Sequence, residues 1–217
     1  MATELVIFDC DGVLVDSEAL AVQVESVLLT EAGFPLTPEE ITDAYVGLSY
    51  ASMMAALAER FGKPVPESLD ALVQQRVMDA FPTELTAVDG MPGFLEALEL
   101  PRCVASSSDL DRIRLSLQVT DLADAFSDDR LFSAQMVERG KPEPDLFLHA
   151  AATCGVDPAD CVVIEDSPHG VHAGVAAGMR VIGLVAGAHC GEALPGRLHD
   201  AGAVAVASVV AELADHL

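Results

Sequence analysis

Asp9 and Asp11 stand in the segment FDCDGVLVDSE, directly after the apolar run Leu5-Val6-Ile7-Phe8. That run reads as a buried strand, so its tip delivers two carboxylates to one place. Such a pair suits phosphoryl transfer. With Mg2+ neutralising one carboxylate, that one stays ionised and attacks phosphorus, while the other keeps a proton for the leaving oxygen. An isolated D-x-D can equally punctuate a strand end before a turn, so the reading depends on what else the chain brings to its strand ends. Cys10, between the two acids, alternates to the opposite face and into the core, where nearby negative charge raises a thiol pKa; it is not read as a nucleophile.

Three other stretches carry matching chemistry. Ser106 ends a second apolar run in VASSSDL. With Ser107 it either binds phosphate, through hydroxyls and backbone N–H groups at a helix start, or is part of a cap. Ser108, with Asp111 three residues on, has the N-cap pattern. Lys141, in RGKPEPD, is one of only two lysines, the other being Lys63. A loop lysine is ordinarily solvated, but one brought close to Asp9 would favour its ionised form and hold a phosphoryl oxygen. Glu165-Asp166-Ser167-Pro168 closes a third apolar run. Ser167-Pro168 reads as an N-cap with Pro at the first helical position, and Asp166 either serves that cap or joins Asp9 around Mg2+, a hard cation that takes carboxylate oxygens.

Other signals yield to plainer readings. His169 and His172 have metal-like spacing after Glu165, but His172 falls on a helix surface. GLSYA at 47–51 lacks the preceding strand that a nucleophile elbow requires, so a serine hydrolase is rejected. No dinucleotide or P-loop glycine motif occurs. The series Gly170, Gly174, Gly178 reads as a helix packed closely on a sheet.

The elements that must position these residues alternate. Short β-branched runs at 5–8, 102–106, 162–165, 180–185 and 203–208 are separated by helical stretches, which predicts a doubly wound, Rossmann-like α/β core around a parallel sheet. Ligands then bind beyond the carboxyl ends of the strands, where Asp9, Ser106 and Asp166 fall. From 17 to 86 the pattern is helical only. Leu20, Val24, Val27 and Leu28 form one stripe stopped by Gly33, Thr37 to Glu40 has the capping-box pattern, and Met53, Met54, Leu57 and Phe61 form a second stripe ending at Gly62. A third comprises Leu69, Leu72, Val73 and Val77. The expected division is a core of 1–16 and 87–217 with an all-helical cap domain of 17–86.

Composition sets outer limits. The 217 residues are 51% apolar, enough for a full core, and the formal charge of −24 argues against nucleic acid, whose binding relies on Lys and Arg. No apolar run approaches a membrane span and the N-terminus is acidic where a signal peptide is basic, so a cytoplasmic protein is expected. Five scattered cysteines with no C-x-x-C pair fit neither a disulfide framework nor a zinc site.

With DCDGVLVDSE, VASSS, GKPEPD and VVIEDSPHGVHAGVAAGM in this order, the chain resembles the haloacid dehalogenase superfamily, in its β-phosphoglucomutase-like subgroup with a helical cap. The resemblance implies that Asp9 is a nucleophile forming an aspartyl-phosphate and that Asp11 is general acid and then base. It implies Mg2+ held by the Asp9 carboxylate, the Asp11 carbonyl and Asp166, with Glu165 in support, and a phosphoryl group bound by Ser106 and Lys141. Residues 12–16 would form a flap that moves with the cap. Where β-phosphoglucomutases carry a cap histidine, an arginine and a second phosphate-binding lysine, this chain has Ala21, Tyr50 and Asp109.

The expected activity is therefore a Mg2+-dependent phosphatase acting on a small phosphorylated metabolite, a sugar or sugar-acid phosphate. The alternatives are a phosphosugar mutase and, outside enzymes, a phospho-accepting receiver domain, which is about half this length and lacks the helical insertion. Glu18, Ser49 and Tyr50 are the expected specificity contacts of the cap. Neither nucleic acid nor membrane is expected as a partner, and a monomer is the default where the sequence leaves the oligomeric state open.

Overall fold

A computed structural model describes residues 2–45, 50–187, 190–191 and 193–217, with the side chains of Asp43, Tyr50 and Ala51 outside the description. Among the described residues six parallel strands form one sheet: β1 (Leu5–Phe8), β2 (Arg102–Ser106), β3 (Leu131–Ser133), β4 (Cys161–Glu165), β5 (Arg180–Leu184) and β6 (Ala205–Ala207). Their order is β3-β2-β1-β4-β5-β6. The chain winds outward from β1 through β2 to one edge, then returns to β4 on the other side of β1. That reversal opens a crevice above the carboxyl ends of β1, β2 and β4.

The near-continuous apolar runs have a direct cause. Alternate residues of each central strand feed different cores, Val6, Phe8, Val104, Val162 and Ile164 on one face, Leu5, Ile7, Cys103, Cys161 and Val163 on the other. Both faces are dry, so no polar alternation survives. The second face is covered by α7 (Asp145–Cys154), α8 (Pro168–Ala176) and α9 (Leu194–Ala201), which contribute Phe147, Val171 and Leu198. Gly174 lets α8 approach the sheet, because a Cβ there would lie 2.6 Å from Val181 Cγ2. Gly178 serves differently: it has open space around it and φ of +77°, ending the helix.

The first face is continuous, among the described residues, with four helices inserted after β1: α1 (Ser17–Glu31), α2 (Pro38–Tyr45), α3 (Tyr50–Phe61) and α4 (Leu69–Glu84). Leu28, Leu57 and Phe81 bury fully or nearly so, whereas Val27 and Leu72, expected on the same stripes, are half exposed. The capping box before α2 forms in both directions: the Thr37 N–H donates to Glu40 Oε2 at 3.0 Å, and the Glu40 N–H donates to Thr37 Oγ1 at 3.2 Å. Gly33 and Gly62 both adopt positive φ just beyond their helices. The sheet resumes after α5 (Met91–Ala97) and is followed by α6 (Leu110–Val119).

Two strand readings change. β3 has only three residues, too few for any periodicity, and it is defined by pairing with Val104 to Ser106 of β2. The run at 203–208 shortens to Ala205–Ala207 because it is an edge strand, with Val204 largely exposed. Among the described residues, no helix is long and apolar enough to cross a membrane.

Candidate active site

The N–H of Asp9 donates to Ile164 O at 3.0 Å, extending the β1–β4 ladder by one residue beyond the strand. This brings Asp9 level with Glu165, since Phe8 pairs with Ile164. Lys141, from the loop before α7, reaches between the two acids. Its Nζ lies 2.6 Å from Asp9 Oδ1 and 2.7 Å from Glu165 Oε1, and 4.9 Å from the Phe147 ring centroid. Carboxylate oxygens of Asp9, Glu165 and Asp166 all lie within 4.8 Å of one another.

Burial dominates the electrostatics. It pushes the Asp9 carboxyl well above the usual carboxylate range; Lys141 pulls it down, and Glu165 and Asp166 push it further up. Burial also disfavours the charge on Lys141, but Asp9 and Glu165 more than offset this and hold the ammonium protonated. One lysine thus faces three carboxylates, which favours a further cation. The donor set is all hard oxygen, which fits Mg2+.

Glu165 is fully buried and bonded at both oxygens. Besides Lys141, it accepts at Oε2 from the Ser167 N–H and the Ser167 hydroxyl, each at 2.9 Å. Ser167 Oγ accepts in turn from the Gly170 N–H at 3.0 Å, forming the expected N-cap of α8 ahead of Pro168. Its bonds suit Glu165 to holding Lys141 and the start of α8 in place.

A cleft of about 380 Å³ opens over this cluster, lined by Asp9, Ser107, Lys141, Glu165 and His169 among others. Ser107 is exposed to it, whereas Ser106 is buried with its Oγ accepting from the Ser108 N–H at 3.1 Å. His169, at the start of α8, faces the cleft, while His172 is exposed further along the helix; neither joins the acidic cluster among the described residues. Cys10 is buried, and burial, with Asp11 and Asp9 adding, pushes its thiol well up.

Asp11 follows a different pattern from Asp9. Its Oδ1 accepts from the Ser17 hydroxyl at 2.6 Å and from Arg112 Nη2 at 3.3 Å, and its Oδ2 accepts from the Ser108 hydroxyl at 2.7 Å. Ser108 is therefore a partner of Asp11, and the cap of α6 is Asp109, whose carboxylate accepts from the Arg112 N–H at 2.9 Å. The sequence reading misses Ser17 and Arg112 as neighbours of Asp11, and no local signal marks them, because one starts α1 and the other sits in α6, 101 residues away from Asp11. The segment after Asp11 turns back tightly: Gly12 has φ of +79°, and its N–H donates to Val15 O at 2.8 Å.

Of the expected cap contacts, Glu18 is exposed in the first turn of α1, while Ser49 and the side chain of Tyr50 lie outside the described residues. Residues 47–49 of the GLSYA segment lie outside the described residues; among the described residues the element before it is the helix α2.

Residues 6–184 match the family described as haloacid dehalogenase-like hydrolase. The chain is 31% identical to 6-phosphogluconate phosphatase of Escherichia coli over 187 residues, covering 86% of this chain and 84% of that one. Among solved structures, a conserved haloacid dehalogenase-like protein from Agrobacterium tumefaciens superposes with a TM-score of 0.89 at 39% identity, covering 99% of this chain and 97% of that one. A HAD family hydrolase from Deinococcus radiodurans, with bound phosphate and sodium, gives 0.87 at 34% identity, covering 97% and 93%.

Proposed function

The chain belongs to the haloacid dehalogenase-like hydrolases, and from that premise we propose that it is a Mg2+-dependent phosphatase of a small phosphorylated sugar or sugar acid. The observation that carries this reading is Lys141 wedged between Asp9 and Glu165, beside Asp166, at the floor of the cleft.

In this reading Asp9 attacks phosphorus, forming an aspartyl-phosphate as the ester P–O bond breaks. Asp11 supplies the proton to the departing oxygen. A water molecule then gives its proton to Asp11 and attacks the same phosphorus, which releases inorganic phosphate and restores Asp9. Lys141, with Ser107 and Ser106, binds the phosphoryl oxygens. The Asp9 and Asp166 carboxylates and the Asp11 carbonyl would hold Mg2+, with Glu165 in support. Bound there, the ion would neutralise charge on the phosphoryl group and on Asp9. Residues 17–86 act as a cap over the 1–16 and 87–217 core, with 12–16 as the flap between them.

The mutase alternative needs a second phosphate seat. Asp109, at the position of the mutases' second lysine, spends its carboxylate on capping α6, and Ala21 packs against the apolar core. Both disfavour a bisphosphate intermediate, leaving water as the acceptor.

The test is phosphate release from a panel of phosphorylated metabolites with Mg2+, using Asp9→Asn as control. Release by the wild type, with the variant below about a thousandth of its kcat, is expected, a loss above roughly 4 kcal/mol. No release from any phosphomonoester would overturn the reading, and so would stoichiometric isomerisation of β-glucose 1-phosphate.

A further inference from the structure

Arg112 is built unlike the other arginines of this protein that meet a carboxylate side-on. Arg114 grips Asp128 through Nε and Nη2 at 2.7 and 2.8 Å, and Arg139 grips Asp145 through the same edge at 3.1 and 2.8 Å. Arg112 touches Asp11 with Nη2 alone, at 3.3 Å, long for a charge-assisted bond. Its Nε is buried and has no acceptor among the described residues. A buried donor left unmet is costly, so this edge is made for a partner better than the one it has.

The guanidinium also stands where two parts of the chain meet. Its carbon lies 4.8 Å from the ring centroid of Phe81, which is fully buried in α4 of the helical insertion, while its own backbone belongs to α6 of the sheet-bearing part. It therefore joins the two parts directly beside Asp11, with its side chain 29% exposed. The charge of the whole molecule supplies no general attraction for anions, so a local cation here is selective.

Resting on the phosphatase reading, we propose that Arg112 is a specificity-determining residue that takes a carboxylate of the substrate on its Nε/Nη2 edge. The substrate class is then a phosphorylated carboxylic acid. A planar carboxylate matches that edge in the same way that Asp128 and Asp145 match Arg114 and Arg139. The match also bears on Asp11. Asp11 is held by two hydroxyls and Arg112. A substrate carboxylate that draws Arg112 away removes one of those donors and couples recognition of the correct substrate to release of Asp11.

The experiment compares kcat/KM for phosphorylated sugar acids with that for the matched phosphorylated sugar alcohols, which carry a hydroxymethyl group where the acid has its carboxylate. Wild type, Arg112→Met and Arg112→Lys are each assayed on both. The wild type is expected to prefer the acid at least about tenfold, mostly through KM. Arg112→Met should bring the ratio to about one, and Arg112→Lys should fall between, because an ammonium keeps charge but not the fork. A merely structural role would lower both substrates together and leave the ratio unchanged, which would overturn the proposal. So would a wild type that prefers the alcohols, or one that prefers sugar bisphosphates in an Arg112-dependent way, since the seat would then take a phosphate. Failure to hydrolyse any phosphomonoester would instead count against the phosphatase reading itself.

Discussion

Gly170 lies flat against the carboxylate of Glu165: a Cβ at position 170 would sit 1.7 Å from Oε1 and 1.9 Å from Cδ. A carboxylate at the end of a side chain could normally swing aside. This one cannot do so cheaply, because it is buried and bonded to Lys141 and Ser167. Gly170→Ala is therefore expected to displace Glu165 and, through it, Lys141, lowering kcat at least about tenfold, or ~1.4 kcal/mol of transition-state stabilisation. Gly174→Ala makes the contrast. Its Cβ would meet Val181 in the apolar core, so it should cost about 1–3 kcal/mol of stability with kcat largely kept. Steady-state kinetics and thermal melts of both variants separate the two; wild-type kcat in Gly170→Ala would show that Glu165 does not position Lys141.

Asp11→Asn should harm the steps that move a proton. Alkyl phosphates are expected to lose about a hundredfold or more in kcat, and p-nitrophenyl phosphate, whose leaving group needs little protonation, less than about tenfold. Equal losses, under conditions where phosphoryl transfer limits the rate, would count against a general-acid role.

Three carboxylates around one lysine should bind a divalent cation with or without substrate. Mg2+ is expected to raise the melting temperature of the wild type, and Asp166→Asn to abolish that rise. Chelation should stop turnover, Mg2+ restore it, and Ca2+ inhibit, because its larger and looser coordination misplaces the nucleophile. Full activity after exhaustive chelation would sink the metal assignment.

Cys154, at the end of α7, offers a pH test away from the cleft. A hydrogen bond from Cys103, opposed by burial and assisted by Arg130, pulls its thiol down to about 6. The thiolate then predominates above that pH and the thiol below it. Alkylation of Cys154 by iodoacetamide should therefore reach half its plateau rate near pH about 6 and stay level toward pH 8. Arg130→Ala should move the profile upward; a rate still climbing through pH 8 in the wild type would contradict the thiol network.

The sequence alone marked the strand ends whose acidic side chains the fold gathers around Lys141. Asp9, Glu165 and Asp166 were legible because each closes or follows a short apolar run read as a buried strand, and Lys141 because it is one of only two lysines and stands between Gly140 and Pro142. The covered faces of the sheet made those runs continuous. The capping box at Thr37 and the cap at Ser167 were equally legible, since capping depends on residues three apart. Short edge strands were not, because β3 exists only through its pairing with β2. Nor could sequence assign the serines after β2, where Asp109 takes the cap and Ser108 turns to Asp11. Arg112 marks the limit most clearly. Its helical neighbours say only that it is a polar position, and its meeting with Asp11 and Phe81 is decided by how α6 and α4 pack. Local patterns record local hydrogen bonds and burial; contacts between elements far apart in the chain arise only when the sheet order and the helix packing set them side by side.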